Sequence, residues 1–438
     1  MFLHSSAPLR GNALALHGRP QLNMRMLANN AFWSLIGHLL FRGSLMVATI
    51  FLARHLDTRA FATYSYFQLT IAMLATFGEL GMGVTASRLF AEIGHESKVR
   101  DPSPIGTLWC LSLVVSVALA GIVLMIPVSW LSAGLPVPRW LLAMGVFVLA
   151  VGIVPGGAVL GLEQYRQSAV VSALGGLSML AGATWAALQS SATIGMVTLV
   201  IAFLVKSGGD ALLVLRSVGV SRLFGRWRLH RKEMRRVLGF GGPMFAVTLM
   251  SGSGAWLLGR MILGGPGGEH AFALYSIGMQ WFALALLVPG MISRVTLPRL
   301  VRTDLSSEGG AADSRTLVRR GAVMTVLSGV AVAAGGVAAG PWLLWMYGAN
   351  FDAGRWFIAA FMLAAVLGAP ANLIGNAIIA RDGQWRWLLL TLVWLAALLA
   401  AGRFSVSVGA WAGAVSQGFA AAVVSTLALL TAFKRRLI

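Results

Sequence analysis

The chain has 438 residues, of which 58% are hydrophobic and only 11% are charged, and its mean hydropathy is +0.79. A soluble globular domain carries far more polar surface, so this composition excludes one and predicts a polytopic helical membrane protein. Cys110 is the only cysteine, which excludes an intrachain disulfide and a cysteine metal cluster. We expect no metal and no cofactor.

The first predicted elements are twelve hydrophobic stretches, each long enough to cross a bilayer as a helix. These spans lie at about 31–53, 61–86, 105–126, 140–161, 168–188, 193–215, 240–263, 272–293, 321–346, 356–379, 386–402 and 405–432. They predict an all-α protein with a tail (1–26), an N lobe of spans 1–6 (27–215), a basic linker (216–239), a C lobe of spans 7–12 (240–433) and a second tail (434–438).

Basic residues lie mostly on one side of this predicted topology. That side holds 26 of the 34 Lys and Arg, although the net charge of +20 by itself would also suit a nucleic-acid-binding protein. Because cytoplasmic loops are enriched in Lys and Arg, we expect both termini and the linker to be cytoplasmic, in a bacterial inner membrane. The charge then reflects topology and attraction to anionic membrane lipids, so no nucleic-acid partner is expected. We interpret residues 1–26 as a cytoplasmic tail and not as a targeting peptide.

The two predicted lobes share short sequence matches at equivalent positions. Residues 60–65 read Ala-Phe-Ala-Thr-Tyr-Ser and residues 271–276 read Ala-Phe-Ala-Leu-Tyr-Ser, each where a span begins. Pro155 and Pro370 lie at equivalent places in spans 4 and 10, where proline removes a helical hydrogen bond and allows bending. These matches predict a parallel six-plus-six repeat around a central cavity.

A polar stripe runs along span 1 and includes Arg42 at its centre. Asn30, Ser34, His38 and Thr49 fall with Arg42 within one arc of roughly 120°. A charge facing lipid at that depth costs ~2.5–3.5 kcal/mol even on the lenient insertion scale, so the stripe must face other helices or a water-filled cavity. We therefore predict that Arg42 and His38 bind an anionic substrate group.

Span 2 carries a second polar stripe of Ser65, Gln68, Thr76 and Glu79. Gln68 is a candidate contact for a sugar hydroxyl. A carboxylate within the bilayer can take up a proton during transport, so Glu79 is a candidate for ion coupling. The alternative is a static pair of Glu79 with Arg42 or His38.

Four more ionisable residues are candidates. Lys206 and Asp210 are spaced i, i+4 in span 6, so they either serve substrate binding and ion coupling or form an internal salt bridge. Arg54 and Arg260 end spans 1 and 7, where a long side chain either lines the cavity or reaches the headgroups.

Three uncharged residues complete the candidate list. Asn372 and Asn376, spaced i, i+4 beside Pro370, suit either sugar hydroxyls or bonds between helices. Trp256 lies within span 7 and either stacks on a sugar ring or packs in the core. No catalytic residue is expected.

Four segments resemble one transporter family: Asn30-Ala-Phe-Trp-Ser-Leu-Ile-Gly37, Ala53-Arg-His-Leu56, Phe61-Ala-Thr-Tyr-Ser65 and Gly78-Glu-Leu-Gly81. They resemble the oligosaccharide flippase family, the Wzx-type O-antigen and exopolysaccharide repeat-unit translocases of the MATE-like MOP superfamily. The chain departs from the usual Gly-Pro-x-x-Phe-Gly turn at Asp57–Phe61.

The resemblance implies two six-helix lobes in a V. By alternating access they would move an oligosaccharide linked to undecaprenyl diphosphate from the cytoplasmic to the periplasmic leaflet. It also implies a diphosphate-binding role for Arg42, and a polysaccharide polymerase and chain-length proteins as partners.

Two other function classes stay open. A MATE-type drug/cation antiporter has the same fold but usually an acid-rich cavity, whereas bases slightly outnumber acids within these spans. A membrane polysaccharide polymerase or ligase needs a substantial periplasmic loop with catalytic groups, and the longest here is about 127–139.

Overall fold

A computed structural model describes residues 24–95, 103–220, 231–287, 290, 308–351, 353–354, 356–379 and 383–434. The regular elements in these ranges are helices, as the composition predicts. The α-helices are α1 (Met24–His55), α2 (Thr58–Thr76), α3 (Met82–His95), α4 (Ser103–Met125), α5 (Val128–Ser132), α6 (Arg139–Val151), α7 (Ile153–Gly161), α8 (Tyr165–Leu188), α9 (Ala192–Val218), α10 (Arg231–Leu263), α11 (Gly268–Ala285), α12 (Glu308–Tyr347), α13 (Phe357–Ile379), α14 (Gln384–Ser405) and α15 (Trp411–Lys434). Two short 3₁₀ turns, Ala349–Phe351 and Val406–Val408, precede α13 and α15.

Ten stretches in the described part of the chain are long and apolar enough to cross a membrane. The remaining two predicted spans are span 2, which is divided between α2 and α3, and span 8, whose described helix is the 18-residue α11. Residues 1–23 of the predicted tail and 221–230 of the predicted linker lie outside the described residues. The first helix begins at Met24, inside the predicted tail.

The two lobes repeat one packing order, which explains the sequence matches between them. In the N lobe, span 1 packs on span 5, span 5 on span 6, and span 4 on spans 2, 3 and 6. In the C lobe, span 7 packs on span 11, span 11 on span 12, and span 10 on spans 8, 9 and 12. Because each lobe has an even number of spans, the two copies point the same way through the membrane.

The buried apolar residues show where the lobes meet. One large cluster contains residues of both lobes, such as Leu52 and Phe67 of the N lobe and Leu258 and Phe272 of the C lobe. It lies toward the end that holds residues 56–57, 126–138, 264–267 and 348–351, which we name the joined end. At the opposite, split end each lobe has a separate small core. The lobes therefore form a V that opens at the split end, which the charge pattern predicts to be cytoplasmic.

Aromatic rings make much of the contact at the joined end. Phe61 of α2 meets Phe351 edge to face with ring centroids 5.3 Å apart, and Tyr66 meets Phe272 in the same way at 5.3 Å. Such pairs contribute about 0.5–1.5 kcal/mol beyond their burial, so they hold α2 against the C lobe.

Span 2 is not the continuous helix that its sequence predicts over 61–86. It breaks between α2 and α3 because Leu80 and Gly81 have φ values of +37° and +74°, a left-handed backbone that ends a helix. Span 4 also divides, at Gly152 between α6 and α7. Pro155 was predicted to bend it, and this proline leaves the carbonyl of Val151 without its helical donor.

Candidate functional site

The face of α2 that remains accessible identifies the wall of a cleft between the lobes. This helix packs against α6 and α9 of its own lobe and against α10 and α11 of the C lobe. Gln68, Ala72 and Thr76, one turn apart, nevertheless keep accessible side chains. Because protein surrounds α2, these residues face the cleft and not lipid, as the sequence predicts for Gln68 and Thr76.

Arg42 lies on α1 with an exposed side chain near the middle of the span. This helix packs on α8 where Gly37 approaches Ala169 and where Phe41 meets Gly175. Two exposed apolar residues precede Arg42 in sequence: Leu40 points ~200° and Leu39 ~60° away from Arg42 around the helix. No ion pair to Arg42 is formed by the described residues.

The rest of the span 1 stripe divides between the cleft and the lobe interior. His38 is exposed and lies one turn from Arg42, as predicted. Thr49 is buried, and its hydroxyl donates to the Leu45 carbonyl oxygen at 2.8 Å. Asn30 donates its side-chain amide to Glu163 Oε2 at 3.2 Å, which ties the start of α1 to the loop after α7.

Glu79 lies in the break of span 2, half-buried between α2 and α3. Its backbone N–H donates to the Thr76 carbonyl oxygen at 3.1 Å, so the backbone turns tightly there. Glu79 and Arg42 do not form an ion pair in this conformation. The static Glu79–Arg42 pair is therefore not formed here, whereas the coupling role of Glu79 and its pairing with His38 remain predictions.

Lys206 and Asp210 form the internal ion pair that the i, i+4 spacing allows. Ser168 of α8 joins them, because its hydroxyl donates to Asp210 Oδ1 at 3.2 Å and accepts from Lys206 Nζ at 3.4 Å. Asp210 is almost fully buried. In this conformation the pair links α8 to α9 inside the N lobe.

Arg260 and Trp256 lie in the interface between the lobes. The Arg260 guanidinium donates to the Trp130 carbonyl oxygen of α5 and lies over the Trp256 ring, 5.6 Å from its centroid. The Trp256 indole N–H donates to the Thr70 hydroxyl of α2 at 3.1 Å. Both side chains are thus engaged at the joined end.

The remaining three candidates differ in their surroundings. Arg54 is exposed and lies over the ring of Trp345 of α12, 5.2 Å from its centroid. Asn372 is exposed and Asn376 is half-buried on α13. Both asparagines point ~140–220° away from the exposed apolar Leu363 and Leu367, on the side of α13 away from that apolar surface.

The sequence reasoning missed how the lobes are held together. Gly252 and Gly259 of α10 are two helical turns apart, and a Cβ on either would lie within 3.1 Å of Thr76 or Leu69 of α2. Trp256 lies between them and makes the bond to Thr70. We name this contact of α2 with Gly252, Trp256, Gly259 and Arg260 the seam. The seven-residue spacing of the two glycines around a tryptophan was the available signal.

In chemical terms, the described cleft surface offers one mid-membrane arginine, a nearby histidine and neutral amide and hydroxyl groups. An arginine with no protein anion binds phosphate through paired N–H donors. Amides and hydroxyls bind sugar hydroxyls. The arrangement can hold a ligand with an anionic group and a polar neutral body, and it provides no bond-breaking machinery.

Solved transporters share this architecture. The chain is similar to an inward-facing multidrug resistance MATE family transporter of the MOP superfamily, with a TM-score of 0.73 and 15% identity over 92% of this chain and 98% of that one. A MOP superfamily transporter from Pyrococcus furiosus gives a TM-score of 0.68 at 14% identity, over 94% of this chain and 95% of that one. The fold is therefore that of a MATE-like membrane transporter, which confirms the predicted two-lobed fold class.

Sequence comparison then defines the family. The profile of the family described as polysaccharide biosynthesis protein matches residues 27–304, and the chain belongs to that family. It is also 24% identical over 385 residues to the EPS I polysaccharide export inner membrane protein EpsE of Ralstonia solanacearum, covering 86% of each chain. The match to the protein of the same name from Ralstonia nicotianae is 24% over 412 residues, covering 87% of each. The predicted resemblance to polysaccharide flippases is confirmed.

Proposed function

We propose that the protein flips an oligosaccharide linked to a polyprenyl diphosphate from the cytoplasmic to the periplasmic leaflet of a bacterial inner membrane by alternating access. The observation that carries this proposal is Arg42, an exposed arginine in mid-membrane with no ion-pair partner among the described residues. Both relatives are named for polysaccharide export in an inner membrane, which supports a glycan as the cargo.

The cleft walls suit the two parts of such a substrate. Arg42 and His38 on α1 supply positive charge for the diphosphate, and Gln68, Thr76 and Asn372 supply neutral groups for the sugars. The cationic centre draws in a multi-negative headgroup and partly compensates its loss of hydration. The V is open at the predicted cytoplasmic end. This is the conformation that would receive substrate from the cytoplasmic leaflet.

Reconstitution tests the proposal directly. Purified protein in liposomes should move a fluorescent polyprenyl-diphosphate oligosaccharide between leaflets, measured as protection from a membrane-impermeant quencher. The same lipid without its sugars should move more slowly, because the neutral wall has nothing to bind. A protein that moves neither lipid but exports cationic drugs against a proton gradient is an antiporter, and the proposal is then wrong.

A further inference from the structure

The N lobe contains two separate hydrophobic cores, one above the other across the membrane. The joined-end core includes Phe67, Val146 and Leu199 and is continuous with the C lobe. The split-end core includes Phe90, Val154 and Val214 and contains no residue of α1, α8 or the C lobe among the described residues.

Four spans pass from one core to the other, and two of them are interrupted between the cores while the other two are continuous helices. Span 2 breaks at residues 77–81 and span 4 at Gly152. Span 6 carries the consecutive glycines Gly208 and Gly209. In span 3 the Ser116 hydroxyl donates to the Ser112 carbonyl oxygen at 2.7 Å, a bond that bends helices. We name this layer, residues 77–81, 112–116, 152–155 and 206–210, the waist.

Three parts of the waist lie at one level, because they touch. A Cβ on Gly78 would lie 2.9 Å from the Ala150 Cβ, beside the break in span 4. A Cβ on Gly152 would lie 2.2 Å from the Ser207 hydroxyl of span 6. The breaks in spans 2 and 4 and the glycine pair of span 6 therefore form one continuous plane.

Each side of the waist is tightly packed within itself. On the split side, α3 and α7 meet backbone to backbone, since a Cβ on Gly157 would lie 2.2 Å from the Gly83 carbonyl oxygen. On the joined side, Gly145 of α6 packs closely against Phe67 and Ile71 of α2. Two compact units are thus connected through a layer in which spans 2 and 4 are interrupted.

We propose that the N lobe bends at the waist during the transport cycle. The unit formed by α3, α7 and the split ends of α4 and α9 swings relative to the joined-end half of the same lobe. The cleft closes at the split end through this bend as well as through movement of whole lobes. Glu79 lies in the waist, so its surroundings change with each swing. The bending motion does not depend on the identity of the substrate. Only the purpose of the motion rests on the proposed function.

Distances between pairs of spin labels test the bend. In a Cys110→Ala background, one pair at Val84 and Leu188 crosses the waist, and a second pair at Trp140 and Leu188 stays on the joined side; all three label positions are exposed. The pairs are measured by double electron–electron resonance in nanodiscs with Gly259→Ala, whose Cβ, 2.9 Å from Leu69, forces the seam apart.

The crossing pair should show two distance populations and the same-side pair one. Adding Gly208→Ala, where a Cβ meets nothing within 4 Å, should remove the second population by stiffening α9. Gly121→Ala in α4, at a position that is also in open space but lies outside the waist, should leave both distance populations unchanged. A single population for the crossing pair, as narrow as the same-side control, would overturn the proposal. Bending in a protein that flips no glycan would refute only the proposed function.

Discussion

Trp256 of α10 donates its indole N–H to the hydroxyl of Thr70 of α2, 3.1 Å away, and so joins the two lobes. The tyrosine ring of Tyr66, one turn from Thr70, lies 6.4 Å from the Trp256 ring. This bond lies in the middle of the seam, between Gly252 and Gly259. If transport proceeds by the proposed alternating access, opening the joined end breaks this bond, so its strength bears on the balance between the two proposed forms.

Removing the bond from the α2 side should favour the form that is open at the joined end. Thr70→Val keeps the side-chain shape and loses a hydrogen bond that contributes about 1 kcal/mol, which corresponds to a shift of about fivefold. The measurement is the rate at which an impermeant maleimide added at the joined end labels Ala72→Cys in a Cys110→Ala background. Thr63→Val is the control, because the Thr63 hydroxyl bonds only within α2, to Arg59. Equal labelling rates for Thr70→Val and Thr63→Val would show that the Trp256–Thr70 bond does not hold the joined end closed.

A side chain at Gly259 should act on the same balance through its volume. Its Cβ would lie 2.9 Å from Leu69 and 3.1 Å from Phe272, and overpacking of this kind costs about 1–3 kcal/mol. We therefore expect Gly259→Ala to raise labelling of Ala72→Cys from the joined end. Gly242→Ala on the same helix has open space and should behave as the parent protein. Unchanged labelling in Gly259→Ala would mean that the side chains of the seam rearrange to accommodate the new Cβ and that the joined end stays closed.

Arg42→Ala should abolish polysaccharide export while the protein still inserts in the membrane. Arg42→Lys should keep part of the activity, because the charge remains although the paired donors are lost. Surface polysaccharide is compared at equal protein level, with Arg139→Ala as the control. Arg139 is an exposed arginine at the joined end that donates to the Leu124 carbonyl oxygen. Full export by Arg42→Ala would remove this residue from the site.

Glu79→Gln should bind substrate and stall the cycle, if this carboxylate couples transport to proton uptake. An arriving diphosphate and Glu79 would compete for one cationic centre at Arg42, so substrate and proton binding affect each other reciprocally. Transport is measured in inverted vesicles with and without a pH gradient. Two results together would contradict the coupling role: a wild-type transport rate that does not change with the pH gradient, and a normal transport rate for Glu79→Gln. Glu79 would then be a structural residue.

Orientation is tested by cysteine labelling. A cysteine placed at Gly267, in the turn before α11, should react with an impermeant reagent from the periplasm. One placed at Gly225, within the predicted basic linker, should not. The reverse pattern would place the joined end in the cytoplasm and invert the direction of substrate loading.

The positions of most helices and the two-lobed repeat can be predicted from the sequence, because they depend on the lengths and order of the hydrophobic stretches. The pairing of Lys206 with Asp210 can be anticipated because it depends on local helical spacing. The polar stripe of span 2 is borne out in part, because Gln68 and Thr76 keep accessible side chains while Ser65 is buried and Glu79 lies beyond the end of α2. Trp256 and Arg260 were ambiguous for a physical reason. An aromatic ring or a guanidinium suits a substrate and a neighbouring helix equally well, and only the approach of α2 decides between them.

The break in span 2 was missed for a different reason. Phe77 to Gly81 contains two glycines, Gly78 and Gly81, but glycine within an apolar stretch is common in membrane helices, so neither predicts a break by itself. The left-handed backbone of Leu80 becomes favourable only because α2 is held by the C lobe while α3 is held by α7. That competition between two partners is a tertiary effect that hydrophobic periodicity does not record.

The core shared by both lobes has a consequence for the membrane as a permeability barrier. A cell that exports long hydrophilic polymers must do so without letting protons and small ions leak through the exporter. Here the described residues of the closed end pack aromatic rings against each other, as Phe61 does with Phe351, and side chains of α2 fill the space beside Gly252 and Gly259. The transporter without substrate is therefore expected not to conduct ions. Single-channel recordings of the protein without substrate should show no conductance.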